Sequence, residues 1–365
     1  MSFLVITRTA DLPALIEPLA RASFVALDTE FLRERTYFAK LCLVQLAFDD
    51  RAAAVDPLNV DLDPLLDCLY APRLLKVLHA ARQDLELFYD VRGAVPGPVF
   101  DTQIAAAYLG LDEQIGYGAL VQQELGVTLS KAHTRTDWSA RPLSAEQLQY
   151  AHDDVQHLHT LYPRLRERLE KLKRLAWVEE DCAALSNATL YANAMERIHL
   201  RIKQGQQLNL AAQKALRALA IWREEKARSR NLPRGWVARD ADLMTLAELP
   251  SAEAIAACEA LPPSLRQRAA TLGDIVQQAR HSADTTPLWP ARPNFTGAQQ
   301  TLLDRMLAHV RARAQQLGIS PSLLATRRDL ERFVLGETPA FLRGWRAEII
   351  ADDLRAVLHG RRAAV

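Results

Sequence analysis

The stretch Phe24-Val-Ala-Leu-Asp28-Thr-Glu30-Phe31 constrains this chain most, because it runs apolar residues straight into two carboxylates one residue apart. The run Ser23 to Asp28, preceded by a polar helical pattern, predicts a buried strand. Side chains at i and i+2 of a strand share a face, so Asp28 and Glu30 project together from its end. Carboxylates held that close repel, and both stay ionised only when a cation sits between them. Hard divalent ions such as magnesium take oxygen ligands of this kind. A strand ending in a solvated acidic turn has the same sequence, and on this stretch alone the two readings weigh equally.

The 365 residues suffice for two or three domains. Hydrophobic residues make up 49% and charged residues 24%, which fits a globular protein with real cores. No apolar run is long enough to cross a bilayer, and Met1-Ser-Phe-Leu-Val-Ile-Thr-Arg8 lacks the basic lead and cleavage site of a signal peptide. Cys42, Cys68, Cys182 and Cys258 are scattered among apolar neighbours without a zinc or disulfide spacing. Buried thiols in a reducing cytoplasm are the expectation. The net charge of +1 hides an asymmetry: residues 1–200 hold 20 Lys+Arg against 28 Asp+Glu, and residues 201–365 hold 25 against 16. An acidic half joined to a basic half points to metal or acid chemistry in front and polyanion binding behind. Cations that merely solvate helix surfaces are the commoner cause of such a pattern.

The first 160 residues alternate strand and helix patterns. Phe3 to Ile6, Leu41 to Phe48, Ala52 to Val55 and Leu74 to His79 read as strands, with Asp49-Asp50 as the turn of a hairpin. Thr9 to Arg21, Leu62 to Leu69 and Ala80 to Tyr89 read as helices, and Val99-Phe-Asp101 as the opening of a helix running to Leu109. Hairpin strands followed by βα units predict an α/β layer with a mixed sheet. Ser144-Ala-Glu-Gln147 is a capping box that opens a helix containing Tyr150 and Asp154. Beyond it no strand is expected. Breaks at Gly205–Asn209 and at the Pro-rich His281–Pro293 divide the rest, giving domains at 1–200, 207–281 and 294–362, the last two as small helical bundles.

Two further acids belong with Asp28 and Glu30. Asp84 falls in the first turns of its helix, where carboxylates commonly complement the dipole. Tyr150 and Asp154 are i and i+4 on one helix face. Taken singly, each has a bland explanation. Together, four acids and a phenol all fall at strand or helix ends of one α/β domain.

Asp28-x-Glu30, Asp84 and Tyr150-x-x-x-Asp154 resemble the three motifs of the DEDD exonucleases, in the tyrosine-bearing branch. Leu27-Asp-Thr-Glu-Phe31, Leu78-His-Ala-Ala-Arg-Gln-Asp-Leu-Glu-Leu-Phe88, Phe100-Asp-Thr-Gln103 and Asp137-Trp-Ser-Ala-Arg-Pro-Leu143 bring the likeness to the ribonuclease D family. The two rear blocks resemble the helical HRDC domains that follow the nuclease there, the second less closely. This resemblance implies a ribonuclease H-like fold and 3′→5′ hydrolysis of RNA, precursor tRNA included, with two divalent ions (Mg²⁺ or Mn²⁺) and release of nucleoside 5′-monophosphates. Two ions about 3.5–4 Å apart can activate the attacking water and stabilise the leaving 3′-oxyanion. On this implied scheme Asp28 bridges the ions, Glu30 and Asp154 complete the site of the attacking water, and Asp84 serves the second ion. Tyr150 then aims the water. Thr29, Phe31 and His79 are assigned to substrate contact, with bracing of the loop as the alternative for His79.

Other features carry weaker expectations. His152, His157 and His159 fall on different helix faces, which argues against zinc. Tyr37 and Phe38 could stack on a terminal base, although a packing pair is the safer reading. Between Trp222 and Arg239, Lys226, Arg228 and Arg230 suit phosphate contact, and Trp222 and Trp236 are expected in a bundle core. Arg327-Arg328 and Arg361-Arg362 are weaker candidates for the same task. No GxxxxGK[ST] loop is present, which sets a helicase and a nucleotide cofactor aside. A cytoplasmic monomer acting on RNA 3′ ends is expected. A DNA exonuclease and a non-catalytic RNA scaffold are the rivals. If the basic half only holds RNA, a chain cut near Gly205 should keep its chemistry on short oligomers.

Overall fold

The alternating patterns close into one six-stranded sheet in the computed structural model, which describes residues 1–129, 136–192, 194–283, 288–290 and 293–360. Arg361-Arg362, the end of the expected third domain and parts of the Pro-rich break lie outside the described residues. Strands β1 (Ser2–Ile6), β2 (Phe24–Leu32), β3 (Lys40–Phe48), β4 (Arg51–Val55), β5 (Leu75–Leu78) and β6 (Val99–Asp101) take the order β1-β4-β3-β2-β5-β6. The sheet is mixed: β2, β5 and β6 run parallel, β3 is antiparallel to β4, and β4 is parallel to β1. Val25, Ala26 and Leu27 are fully buried, as the apolar run before Asp28 requires.

Val99 to Asp101 form a strand and not the start of a helix. Three residues are too few to show a period, and what fixes them is the parallel register of Lys76, Val77 and Leu78 on Val99, Phe100 and Asp101. The parallel strands thereby present their carboxyl ends on one side. Asp28, His79 and Asp101 emerge there, in the position where open α/β sheets place their sites.

Helices α1 (Leu12–Leu19), α2 (Asp63–Leu69), α3 (Arg82–Arg92), α4 (Thr102–Tyr108), α5 (Tyr117–Leu125), α6 (Ala145–Lys171) and α7 (Leu175–Leu185) accompany the sheet. The capping box of α6 forms as written in the sequence: Gln147 N–H donates to Ser144 Oγ at 3.2 Å, and Gln147 Oε1 accepts Ser144 N–H at 2.8 Å.

The chain divides into two compact units. One joins residues 1–31, 41–188 and 294–365, and the other joins residues 32–40 with 189–293. The second holds α8 (Leu210–Ser229), α9 (Arg234–Val237), α10 (Asp240–Glu248), α11 (Ala252–Ala257), α12 (Pro263–Arg266) and α13 (Ala269–Arg280), around a core that includes Leu216, Leu219, Trp222, Leu243, Leu272 and Val276. Trp236 is 63% exposed, contrary to the core role expected of it, because the short α9 buries none of its residues.

In the first unit, α14 (Gly297–Leu317), α15 (Pro321–Leu324), α16 (Arg327–Val334), α17 (Gly344–Arg346) and α18 (Asp352–Leu358) share one apolar core with the nuclease helices. Trp345 stacks on Trp177 at 4.5 Å and meets Tyr108 edge-on at 5.4 Å. Beside them Arg346 donates twice to Asp181 at 2.7 Å, and Asp181 also accepts the Tyr108 hydroxyl. Gly344 has a positive φ of 58°, and a Cβ there would lie 1.9 Å from the Glu180 carboxylate, so a side chain at this position would displace Glu180 from the Trp345 N–H it accepts. Trp345→Ala should cost about 3–5 kcal/mol, as aromatic truncation in a packed core does, measurable by denaturant unfolding. Removing residues 294–360 should expose Tyr108 and Trp177 and leave the shortened chain insoluble; a soluble, active remainder would show that the shared core is dispensable.

Candidate active site

The end of β2 delivers Asp28 and Glu30, the first turn of α3 delivers Asp84, and α6 delivers Tyr150 and Asp154. One buried carboxylate sets where α3 and α4 start. Asp101 accepts the backbone N–H groups of Ala80 at 3.0 Å, Ala81 at 2.9 Å and Gln103 at 2.8 Å, so it caps α4 and holds the turn into α3 together. Ala80 has a φ of 54°, unusual for a residue with a Cβ, and that turn aims Asp84 back at β2.

His79 lies on the same turn with both ring nitrogens engaged. Nε2 faces the Ile115 carbonyl at 3.0 Å, and Nδ1 faces the Thr102 hydroxyl at 2.9 Å. Burial holds its pKa below the ordinary value, and the Ile115 carbonyl, which can only accept, takes its hydrogen from Nε2. These bonds brace the loop. Thr29, between the two acids of β2, is buried and donates its hydroxyl to Asp84 at 2.5 Å, which orients that carboxylate. Phe31 follows on the Thr29 face of the strand, half-buried.

Oxygen atoms of Asp28, Glu30 and Asp154 all lie within 4.8 Å of one another, the one such donor group among the described residues. Asp84 stands beside them, raised by the charge of Asp28 after burial. Burial first, and neighbouring carboxylates second, push Asp28 up to about 8 and Glu30 to about 9. Asp84 rises to about 8 and Asp154 to about 7, mainly through burial, with the Tyr150 hydrogen bond holding Asp154 down. A crowd of anionic oxygens this poorly compensated by the protein is a fitting donor set for hard divalent cations.

A cleft of about 190 Å³ opens over Asp28, Glu30 and Asp154, lined also by Thr29, His79, Tyr117, Tyr150 and Leu158, while Asp84 is buried with its carboxylate on the Thr29 hydroxyl. The Tyr150 phenol is bonded to the Asp154 carboxylate, and its ring lies 5.9 Å from that of buried Trp138. Trp138 is held by Arg141, which pairs at 2.7 and 2.6 Å with buried Asp56 and donates to the Trp138 carbonyl at 2.8 Å. Tyr117 is a working residue that sequence reasoning misses. Its hydroxyl donates to the backbone carbonyl of Asp154 and pins α6 against the cleft. Nothing in the sequence around Gly116-Tyr117 marks it, since its partner is a main-chain atom far along the chain.

Lys226, Arg228 and Arg230 lie at the end of α8 in the other compact unit and do not line this cleft. Arg228 sits over the rings of Tyr37 and Phe38 at 6.0 and 5.9 Å, so those rings serve as a packing pair. His152 packs on Phe3 and His159 on Phe24, each at 4.8 Å.

The raised carboxyl groups make stability depend on pH. A carboxyl whose folded-state pKa lies above its unfolded value favours the folded state while protonated, and that contribution is lost as pH rises through the folded pKa. The metal-free protein should therefore lose thermal stability between about pH 4 and pH 9 through Asp28, Glu30, Asp84 and Asp154. Added magnesium or manganese should restore it with release of protons, seen in calorimetry as a binding heat that changes with the buffer. Asp28→Asn should raise the metal-free melting temperature at pH 8. A lower one would mean that repulsion does not govern this cluster.

Comparison with known proteins agrees with this geometry. The 3′-5′ exonuclease family model matches residues 3–170, and the HRDC domain model matches residues 212–275. Ribonuclease D of Granulibacter bethesdensis is 37% identical, across 97% of this chain and 92% of its own length. Ribonuclease D of Gluconacetobacter diazotrophicus is 38% identical, across 98% and 93%. The crystal structure of Escherichia coli RNase D, an exoribonuclease involved in structured RNA processing, superposes with a TM-score of 0.85 at 31% identity, covering 99% of this chain and 100% of that one. A family model for the nuclease, another for the helical unit and full-length relatives above 30% identity agree: this chain belongs to the ribonuclease D family of 3′→5′ exoribonucleases.

Proposed function

We propose that the site formed by Asp28, Glu30, Asp84 and Asp154 trims the 3′ ends of precursor tRNA and other small structured RNAs, releasing nucleoside 5′-monophosphates. The observation that carries this reading is the convergence of Asp28, Glu30 and Asp154 with Tyr150 on one cleft, with Asp84 held beside Asp28 by Thr29. Asp28, Glu30, Asp84 and Asp154 would hold two divalent ions, magnesium or manganese. Bound there, such ions supply an activated water and stabilise the leaving 3′-oxyanion.

The chain's own residues do the rest. Tyr150 stays protonated, because burial and then the charges of Asp154, Glu30 and Asp28 raise its pKa. Its phenol therefore remains a hydrogen-bond group at neutral pH, and on this reading it orients the attacking water. Thr29 holds Asp84, and Asp101 with His79 and Thr102 holds the turn from which Asp84 is aimed. In the helical unit, Lys226, Arg228 and Arg230 would contact the phosphate chain. The same reading makes the protein a cytoplasmic monomer that meets its RNA in a reducing compartment, where its four free thiols stay reduced. Among the described residues no helix is long and apolar enough to cross a membrane.

Asp28→Asn and Asp154→Asn should each abolish hydrolysis of a 3′-labelled tRNA precursor while leaving the circular dichroism unchanged. Tyr150→Phe should lower the single-turnover rate by about 10²-fold, in the range of positioned catalytic groups, with RNA affinity unaltered. An Asp28→Asn enzyme with a near-normal rate in excess magnesium would end the proposal. Matched RNA and DNA oligomers separate a ribonuclease from a DNA exonuclease through the 2′-hydroxyl. Replacing Lys226, Arg228 and Arg230 together by alanine should flatten the dependence of log affinity on log salt by roughly 0.7 for each phosphate no longer neutralised; an unchanged slope would remove these residues from the interface.

A further inference from the structure

The nine residues Leu32 to Lys40 leave the strand that carries Glu30, yet they belong to the compact unit of residues 189–293. Within that unit they are seated by polar groups of α8, α9 and the turn between them. The backbone N–H groups of Tyr37 and Phe38 both donate to Asn231 Oδ1, each at 3.1 Å. Asn231 itself is in the left-handed region, with a φ of 50°, which turns its carboxamide toward them. The Tyr37 hydroxyl donates to Glu224, and Arg234 grips the same carboxylate through Nε at 2.5 Å and Nη2 at 2.6 Å. Arg234 also lies 4.7 Å above the Tyr37 ring.

Glu224 is fully buried on a helix of the HRDC-matching segment. A buried carboxylate is tolerated only when paired and fully hydrogen-bonded, and one of its partners comes from residue 37. Tyr37 and Phe38 take no part in the apolar core of that unit.

We propose that Glu224, Asn231 and Arg234 are positioning residues for the nuclease reaction: they hold segment 32–40 and thereby fix the last residues of β2, Glu30 among them. Leu32 is at once the final residue of β2 and the first residue of the seated segment, and the clamped Tyr37 follows Glu30 by seven residues. Acids in a catalytic cluster must be held within a fraction of an ångström, and a strand end gains that rigidity from what anchors its continuation. A chain cut near Gly205 would lose this seat and also residues 294–360, which share the nuclease core, so it should not keep the chemistry on short oligomers expected of it.

The inference rests on the assignment of Glu30 to the active site, and the test reads the two separately. In the full-length protein, Asn231→Gly keeps the left-handed backbone and removes the acceptor, while Tyr37→Phe keeps the ring and removes the hydroxyl. Hydrogen exchange without metal should show the Tyr37 and Phe38 amides opening at least about 10-fold faster in Asn231→Gly, with the core amides of α8 and α13 unchanged. With magnesium and a short RNA oligomer, both variants should lose kcat by about 10-fold at constant KM, below the roughly 10²-fold that a misplacement of about 1 Å can cause. Unaltered exchange in Asn231→Gly would show that the segment is not held there. Faster exchange with unchanged kcat, while Glu30→Gln is inactive, would overturn the positioning role alone. Full activity of Glu30→Gln would instead overturn the assignment of Glu30.

Discussion

Repulsion among carboxylates is the constraint around which the nuclease unit is built. Asp28, Glu30 and Asp154 hold oxygens within 4.8 Å of one another, and burial strengthens every unfavourable pair. Such a cluster does not assemble by its own attraction. It is imposed by the buried run of β2, by the turn at Ala80 and by the long, well-capped α6. The fold thus carries a cost at the site that cation binding offsets, a common relation between stability and activity.

The supporting groups are as informative as the acids. Asp101, Thr102 and His79 form a polar knot at the carboxyl ends of β5 and β6, and each bond in it fixes a part of the turn leading to Asp84. Tyr117 does the same for α6 through the Asp154 carbonyl. None of these residues needs to touch RNA to matter. Assigning His79 and Thr29 to substrate contact follows from their place in the sequence, whereas their polar atoms are engaged with the protein.

Much of the site is legible in the sequence because its signals are local. An apolar run ending in Asp28-x-Glu30 and a capping box six residues before Tyr150 locate their elements without tertiary information. Signals fail where the deciding partner is distant. Three residues of β6 show no period and take their place in the sheet from β5. Trp236 looks apolar enough for a core, but a four-residue helix offers none. The seat of Tyr37 on Glu224 joins residues that no pattern links. Charge asymmetry shows a basic rear half, but not that its last block packs into the nuclease core.

That shared core has a consequence for how the molecule is made. A ribosome delivers the chain from the N-terminus, and domains generally fold as they emerge. The helical unit around α8 to α13 has almost all its residues in one continuous stretch and can close soon after residue 293 appears. The nuclease unit cannot, because Trp345, more than 150 residues downstream, packs on Tyr108 and Trp177. Nascent chains therefore pass through a stage with a finished middle and an uncovered front. During that interval, chaperone binding competes with aggregation at the exposed faces of α4 and α7.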